Sequence, residues 1–154
     1  MPEEPVVRGP WSVDQVADFL ADSVIPVRLG VDAGPGGPLV LSVWFTPEGL
    51  ELVGATRPTS TLIRCLERRP ECGFEVAADA PPYHGVRGRA RVELDRAGGA
   101  TTLDRLLVRY LGGLDSPLAH RLRAAAAEDE VGFRLRPVSL TSWDYRERMV
   151  DSLG

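Results

Sequence analysis

The sequence predicts one α+β domain, mainly β, in which six antiparallel strands form a closed or nearly closed barrel with helices at its periphery. Two features of the chain indicate this class. Apolar and polar residues alternate over several short segments, and these segments follow one another as hairpins instead of alternating regularly with helices. The 154 residues are also enough for one hydrophobic core and too few for two typical ones.

The elements are predicted in order along the chain. Residues 1–10 are proline-rich and predict a flexible tail before a folded domain over residues 11–150. Ser12 and Gln15 form a capping-box pattern at the start of a short amphipathic helix that ends near Asp22. Helical spacing recurs around residues 62–66, ending before Pro70, then over 103–110 and from Ser116 to about Glu128. The six strands are expected over residues 27–31, 39–45, 50–55, 72–76, 86–94 and 131–138.

Charge and hydropathy exclude several classes of protein. The net charge is -4, which disfavours a nucleic-acid partner because binding to phosphate backbones needs clustered positive charge. The apolar runs are too short to span a bilayer, and the N-terminus does not resemble a signal peptide. We therefore expect a cytoplasmic protein with no membrane association. Cys65 and Cys72 are the only cysteines, too few for a disulfide framework, and are expected to be reduced and buried.

Motifs for common catalytic chemistries are missing from the sequence. It contains no nucleophile elbow, no P-loop and no dinucleotide-binding glycine motif after a strand. His120 is interpreted as a solvated helix residue, and His84 as a loop residue more readily than as an acid or base. The acidic run 128–130 is interpreted as a solvated helix end instead of a metal site. No catalytic residue and no metal ligand is assigned.

The segment from Trp44 to Arg64 carries the strongest functional signal. At its strand-to-helix junction, side-chain hydroxyls, free backbone N–H groups and the positive end of a helix dipole coincide, which suits a phosphate group. The alternative is that Thr59 simply caps the helix. The candidate phosphate ligands are Thr56, Arg57, Thr59, Ser60, Thr61 and Arg64.

The chain resembles the pyridoxamine 5'-phosphate oxidase-like split-barrel superfamily of flavin and deazaflavin proteins. Four segments carry the resemblance and keep their order: residues 40–76, 81–94, 109–113 and 133–145. The likeness extends over about residues 24–148, nearly the whole domain. It implies a six-stranded antiparallel Greek-key split barrel that pairs as a homodimer.

The resemblance also implies a cofactor and its ligands. FMN, or alternatively F420, would lie in a groove between the subunits and supply hydride transfer for a small conjugated substrate. Val43, Trp44 and Phe45 would line the ring, while Thr56, Arg57, Thr59, Ser60 and Thr61 would hold the phosphate and ribityl chain. Tyr83 and Trp143 would close the groove, from the same subunit or from the partner.

The sequence departs from the pattern of the superfamily at two places. Leu62 stands where relatives usually have a lysine that binds the cofactor phosphate, so Arg57 or Arg64 would have to supply the charge. After Trp143 the chain continues Asp144-Tyr145-Arg146, without the Arg-x-His substrate motif of true pyridoxamine phosphate oxidases. The vitamin B6 reaction is therefore not expected.

Three interpretations of the function remain open. The first is an FMN- or F420-dependent oxidoreductase. The alternative is a split-barrel module that binds FMN, F420 or haem without turnover, in which His84 could ligate the haem iron. A third reading, a purely structural dimer, would leave the hydroxyl-rich junction as an ordinary helix cap.

Overall fold

The computed structural model describes residues 3–126 and 129–150. Within them the helices are α1 (Val13–Asp22), α2 (Thr61–Arg68), α3 (Gly99–Leu111) and α4 (Pro117–Ala126). The strands are β1 (Val6–Arg8), β2 (Val27–Asp32), β3 (Pro38–Val43), β4 (Thr46–Glu48), β5 (Glu51–Thr56), β6 (Glu71–Ala77), β7 (His84–Asp95) and β8 (Val131–Asp144). The predicted helix ending at about Glu128 is described as far as Ala126, and Ala127 and Glu128 lie outside the described residues.

The strands form one curled sheet in the order β3-β2-β6-β7-β8-β5-β4. Neighbours along this path are antiparallel, while β1 adds to β8 in parallel. A register shift between Arg89 and Ala90 interrupts the long β7–β8 ladder. Such irregularities increase local twist and bend a sheet, which favours a half-barrel over a flat layer.

The predicted number of six strands is wrong, because the described residues form eight. One additional strand is β4, which contains Pro47 and lies between the strands predicted over residues 39–45 and 50–55. Proline is compatible with a strand at a sheet edge, where its missing N–H is not needed, and β4 is the last strand of the path. The other is β1, in the segment predicted as a flexible tail: Val6 to Arg8 pair with Ser139 to Thr141. A sheet partner can order a terminal segment that local sequence alone would leave loose.

The hydrophobic core lies inside the curl of the sheet. Alternate residues of β2 point inward, with Val27, Leu29 and Val31 buried and the residues between them more exposed. Phe133 and Leu135 of β8 are buried on the same side. This period of two is the pattern that predicts the strand over residues 27–31.

Helices α1 and α2 close the barrel through their apolar faces. In α1, Ser12 and Gln15 form the predicted capping box, with mutual hydrogen bonds of 2.9 and 3.2 Å. In α2, Leu62 and Leu66 are buried in the core. The part of the chain that the structure describes contains no helix long and apolar enough to cross a membrane.

Candidate functional site

A cleft of about 510 Å³ opens beside the end of β5 and the start of β8. Ala55 and Thr56 end β5, and Thr56 pairs with Val131, the first residue of β8. The loop that follows β5, together with α3 and α4, contributes the rest of the wall. The lining residues are Trp44, Ala55, Thr56, Arg57, Thr59, Ser60, Leu103, Leu118, Leu122, Ala125, Ala126 and Glu130.

Trp44 provides an aromatic surface at the cleft. Its ring stacks on that of Tyr110 from α3, with 4.7 Å between ring centroids and 5° between ring planes. The Tyr110 hydroxyl donates a hydrogen bond to the Ile25 carbonyl at 2.8 Å and accepts one from the Phe45 amide at 3.2 Å. Tyr110 therefore holds both the ring of Trp44 and the backbone that follows it.

The backbone near Trp44 comes so close to β5 that no side chain fits between them. A Cβ at Gly54 would lie 2.8 Å from the Trp44 carbonyl oxygen and would collide with the ring of Phe133. Glycine at this position therefore allows the strand junction that carries Trp44 to lie directly over β5. This close approach brings Trp44 near Thr56 in the same cleft.

The N-terminus of α2 contributes the polar part of the cleft. Ser60, and not Thr59, is the helix cap: its hydroxyl accepts a hydrogen bond from the Ile63 amide at 3.2 Å. The Ser60 amide in turn donates to the Arg57 carbonyl at 3.0 Å, which closes a turn before the helix. Thr59 and Arg57 are exposed at the cleft. Hydroxyls, a guanidinium and the positive end of a helix dipole therefore meet here, a combination that suits an anion.

Glu130 is a cleft residue that the sequence analysis missed. The acidic run was interpreted as a solvated helix end, yet Glu130 is only 8% exposed, while its neighbour Asp129 is exposed. Burial raises the pKa of Glu130, and the Arg57 guanidinium lowers it by a smaller amount. Its position directly before the first residue of β8 was the only sequence signal for burial, and a run of three acids hides that signal.

The apolar wall was also missed. Leu103 of α3 and Leu118 and Leu122 of α4 face the same cleft as Trp44. Their helical spacing predicted helices, but spacing cannot tell which surface of the sheet a helix covers. These side chains give the cleft an apolar side next to its polar side, as in most sites for small molecules and cofactors.

The structure brings five of the predicted site residues to the cleft: Trp44, Thr56, Arg57, Thr59 and Ser60. Four others, three of them adjacent to these in sequence, do not line it. Phe45 is fully buried in the core, and Val43 is half-buried where β3 pairs with Val27. Thr61 and Arg64 are exposed on α2. Adjacent residues diverge in this way because successive side chains of a strand or helix point in different directions.

Solved structures share this architecture. Conserved hypothetical protein Rv2991 from Mycobacterium tuberculosis superposes with a TM-score of 0.74 at 22% identity, over 90% of this chain and 88% of that chain. An F420 reductase superposes with a TM-score of 0.65 at 22% identity, over 80% of this chain and 94% of that chain. A putative pyridoxamine 5'-phosphate oxidase from Listeria innocua superposes with a TM-score of 0.64 at 15% identity, over 84% of this chain and 96% of that chain. No protein-family profile and no curated protein sequence matches significantly.

The chain has the pyridoxamine 5'-phosphate oxidase-like split-barrel fold. Identities this low demonstrate a common fold and not a common activity. Within this split barrel, Leu62 is 3% exposed and packs in the core, so position 62 supplies no charge to the cleft. Arg57 is the one basic side chain among the described residues that line the cleft.

Tyr83 and Trp143 lie at the opposite end of the split barrel. Trp143 pairs with Gly85 near one end of the β7–β8 ladder, whereas the cleft adjoins the other end, at Val131. Tyr83 lies at the same end of the ladder, where its carbonyl accepts a hydrogen bond from the Tyr145 amide at 2.9 Å. Neither residue lines the cleft of its own chain. They can close this cleft only if a second copy supplies them.

His84 occupies the same remote end. Its Nδ1 lies 2.8 Å from the Pro82 carbonyl, and its ring packs against those of Trp11 and Phe19. A histidine held in this way is far along β7 from the cleft. The geometry gives no link between His84 and the site beside Trp44.

Proposed function

We propose that the protein is a homodimeric oxidoreductase that binds FMN, or alternatively F420, and transfers hydride to or from a small conjugated substrate. One observation carries the proposal. The ring of Trp44, stacked on a tyrosine that is itself hydrogen-bonded, lies in the same cleft as a capped helix N-terminus and an exposed arginine. Flavins and deazaflavins combine a flat apolar ring with a phosphate-bearing chain, and the cleft offers a partner for each part.

The residues of the cleft divide between these two parts. Trp44, with Leu118 and Leu122, would contact the ring, and Thr56, Arg57, Thr59 and Ser60 would hold the phosphate and its chain. The cofactor, when bound, supplies the hydride chemistry. The protein would orient the ring and exclude water from it through its apolar wall.

The size of the cleft suits such a ligand. Its volume of about 510 Å³ falls within the usual range for small-molecule sites. A single arginine faces the phosphate region, and Glu130 lies buried in the same lining. With the position of the family's usual lysine occupied by buried Leu62, we expect Arg57 to be the main charged ligand of the phosphate.

A second copy of the chain would complete the site. Tyr83 and Trp143 are partly exposed near each other, remote from the cleft of their own chain. In a symmetric dimer they could close the cleft of the partner, as the resemblance to the superfamily implies. Sedimentation velocity would measure the oligomeric state directly, and a monomer at the concentrations where cofactor binds would contradict this part of the proposal.

Cofactor titration tests the proposal. Purified protein is titrated with FMN and with F420 while flavin absorbance and tryptophan fluorescence are recorded, and we expect saturation by one of them. Arg57→Ala should weaken binding by about 1 to 3 kcal/mol, roughly 5- to 150-fold in Kd, the effect of losing a charge-assisted hydrogen bond.

Arg64→Ala is the matched control, because it removes an exposed arginine of α2 that does not line the cleft. Equal losses in the two variants would mean that Arg57 has no special role. Failure of wild-type protein to bind either cofactor would refute the proposed function. Binding of a cofactor that no hydride donor can reduce would favour the non-catalytic alternative.

A further inference from the structure

Glu130 is held in the cleft by the backbone around it. Gly99, the first residue of α3, packs so closely on the Glu130 carbonyl that a side chain at position 99 would collide with it. The next residue, Val131, begins β8 and pairs with Thr56. Glu130 is thus fixed between α3 and the sheet, 8% exposed, and lines the cleft beside Thr56 and Arg57.

The carboxyl of Glu130 has no fixed partner among residues 3–126 and 129–150. No hydrogen bond stabilises its charged form there, and Arg57 is the one nearby cation that acts on it. Arg57 and Glu130 both line the cleft, yet they do not form a direct ion pair. An acid that is mostly buried and has no hydrogen-bond partner among these residues is harder to ionise than one in water.

The charged groups near the cleft that the structure describes on β7, α3 and α4 are engaged elsewhere or exposed. Asp95, at the end of β7, accepts hydrogen bonds from the amides of Ala97 and Gly98 at 3.0 and 2.9 Å. Asp104 of α3 pairs with Arg123 of α4 at 2.9 Å. Asp129 is exposed, as are His120 and Arg121 of α4. Among the described residues that line the cleft, Arg57 and Glu130 are the two charged groups.

We propose that Glu130 is a proton-coupled counter-charge for Arg57, so that a phosphate-bearing ligand binds at Arg57 together with uptake of one proton by Glu130. The carboxylate takes this proton from solvent and becomes a neutral carboxylic acid, and no other bond forms or breaks. This inference rests on the proposed function only in requiring that a phosphate group enters the cleft.

The physical reason is that Glu130 and the bound phosphate compete for the positive charge of Arg57. Before binding, the positive charge of Arg57 favours the ionised form of Glu130. A bound phosphate neutralises Arg57 and adds negative charge close to a buried carboxylate, and both effects favour the protonated acid. Binding and protonation are thermodynamically linked, so the ligand binds less tightly at a pH where Glu130 of the free protein is ionised than at a pH where it is already protonated. Each pH unit by which the phosphate raises the Glu130 midpoint weakens binding about tenfold above that midpoint.

The first test compares Glu130→Gln with wild type between about pH 5 and about pH 8, which brackets ordinary and raised carboxyl pKa values. We expect equal FMN affinities at low pH and progressively tighter FMN binding by E130Q as the pH rises. The phosphate of FMN itself titrates in this range, but equally for both proteins, so the ratio of the two dissociation constants isolates Glu130. A ratio that does not change with pH would overturn the proposal.

Two controls separate the counter-charge role from a structural one. Riboflavin carries the same ring without the phosphate, so its affinity should be equal in E130Q and wild type at every pH. A pH-dependent riboflavin ratio as large as the FMN ratio would also overturn the proposal. Asp129→Asn removes the neighbouring exposed acid and should behave as wild type with both ligands.

A second measurement needs neither a flavin nor the E130Q variant. The side-chain carboxyl resonance of Glu130 is followed against pH by carbon NMR, with and without inorganic pyrophosphate, in wild type and in Arg57→Gln. We expect pyrophosphate to raise the titration midpoint in wild type and to have little effect in R57Q. If this shift occurs while no flavin binds, the proposed function fails and this inference stands; if FMN binds and the midpoint does not move, the inference fails and the function stands.

Discussion

Removing the hydroxyl group of Tyr110 should destabilise the protein without displacing the ring of Trp44. In Tyr110→Phe the stacked ring remains, whereas the Ile25 carbonyl loses its donor at 2.8 Å and the Phe45 amide loses its acceptor at 3.2 Å. Phe45 is fully buried, so water cannot easily replace the lost acceptor. An unsatisfied buried polar group costs about 1 to 3 kcal/mol, and we expect a loss of about 2 kcal/mol.

Urea unfolding measures this loss. The midpoint concentration should fall while the slope with urea stays constant, because the variant exposes the same surface on unfolding. In a thermal melt the same change corresponds to about 4 to 8 °C for a domain of this size. A variant that unfolds at the wild-type urea concentration would refute the claim that this hydroxyl stabilises the junction carrying Trp44.

Tyr110→Leu provides the comparison for the ring. It removes the same two hydrogen bonds and also the stack on Trp44, which is worth about 0.5 to 1.5 kcal/mol beyond the buried area. We expect Y110L to be less stable than Y110F and to show altered tryptophan fluorescence. Equal stability of the two variants would mean that the stack does not contribute to holding Trp44.

Two further predictions concern groups outside the cleft. Neither cysteine should react with a thiol reagent in the native state, because both are buried and burial raises the pKa of Cys72 to about 12. Reaction of either thiol before the protein unfolds would contradict this packing. Hydrogen bonds from Arg146, with one from Trp11, hold the pKa of Asp144 well below its ordinary value. The ionised Asp144 carboxylate should therefore stabilise the fold above about pH 4, and this contribution should be lost as the pH falls. In Asp144→Asn the melting temperature should therefore fall less steeply at acid pH than in wild type. An unchanged dependence of melting temperature on pH would contradict this role of Asp144.

Local sequence patterns were sufficient for the main elements of the fold. Residues 27–31 alternate strictly, and β2 forms over Val27–Asp32. The capping box at Ser12 begins α1 where the pattern places it. These signals are reliable because alternation and capping depend on residues within one or two turns of each other.

The two additional strands show where local patterns are insufficient. Neither β1 nor β4 has enough apolar alternation to be predicted, and each has three residues. Strand β1 pairs with Ser139–Thr141, far along the chain, whereas β4 folds back in a tight hairpin onto Glu51–Val53. Each is too short to show a pattern of its own, and it is the neighbouring strand that fixes it in the sheet.

The candidate site divides in the same way. The hydroxyl-rich junction before α2 was apparent in the sequence because its polar groups come from adjacent residues. Glu130 and Tyr110 could not be identified from the sequence, because their contacts are with residues far along the chain. Glu130 lies near Arg57, and Tyr110 stacks on Trp44 and donates a hydrogen bond to Ile25.

Local patterns in the sequence were thus enough to predict the α+β class and a candidate anion-binding turn at one strand-to-helix junction. Which side chains share the cleft with that turn became clear from the folded chain alone. It buries Phe45, turns Arg64 away, and places Trp143 at the far end of the barrel. The physical reason is that the direction of a side chain depends on strand register and on how helices pack across the sheet, and both are set by contacts between residues distant in sequence.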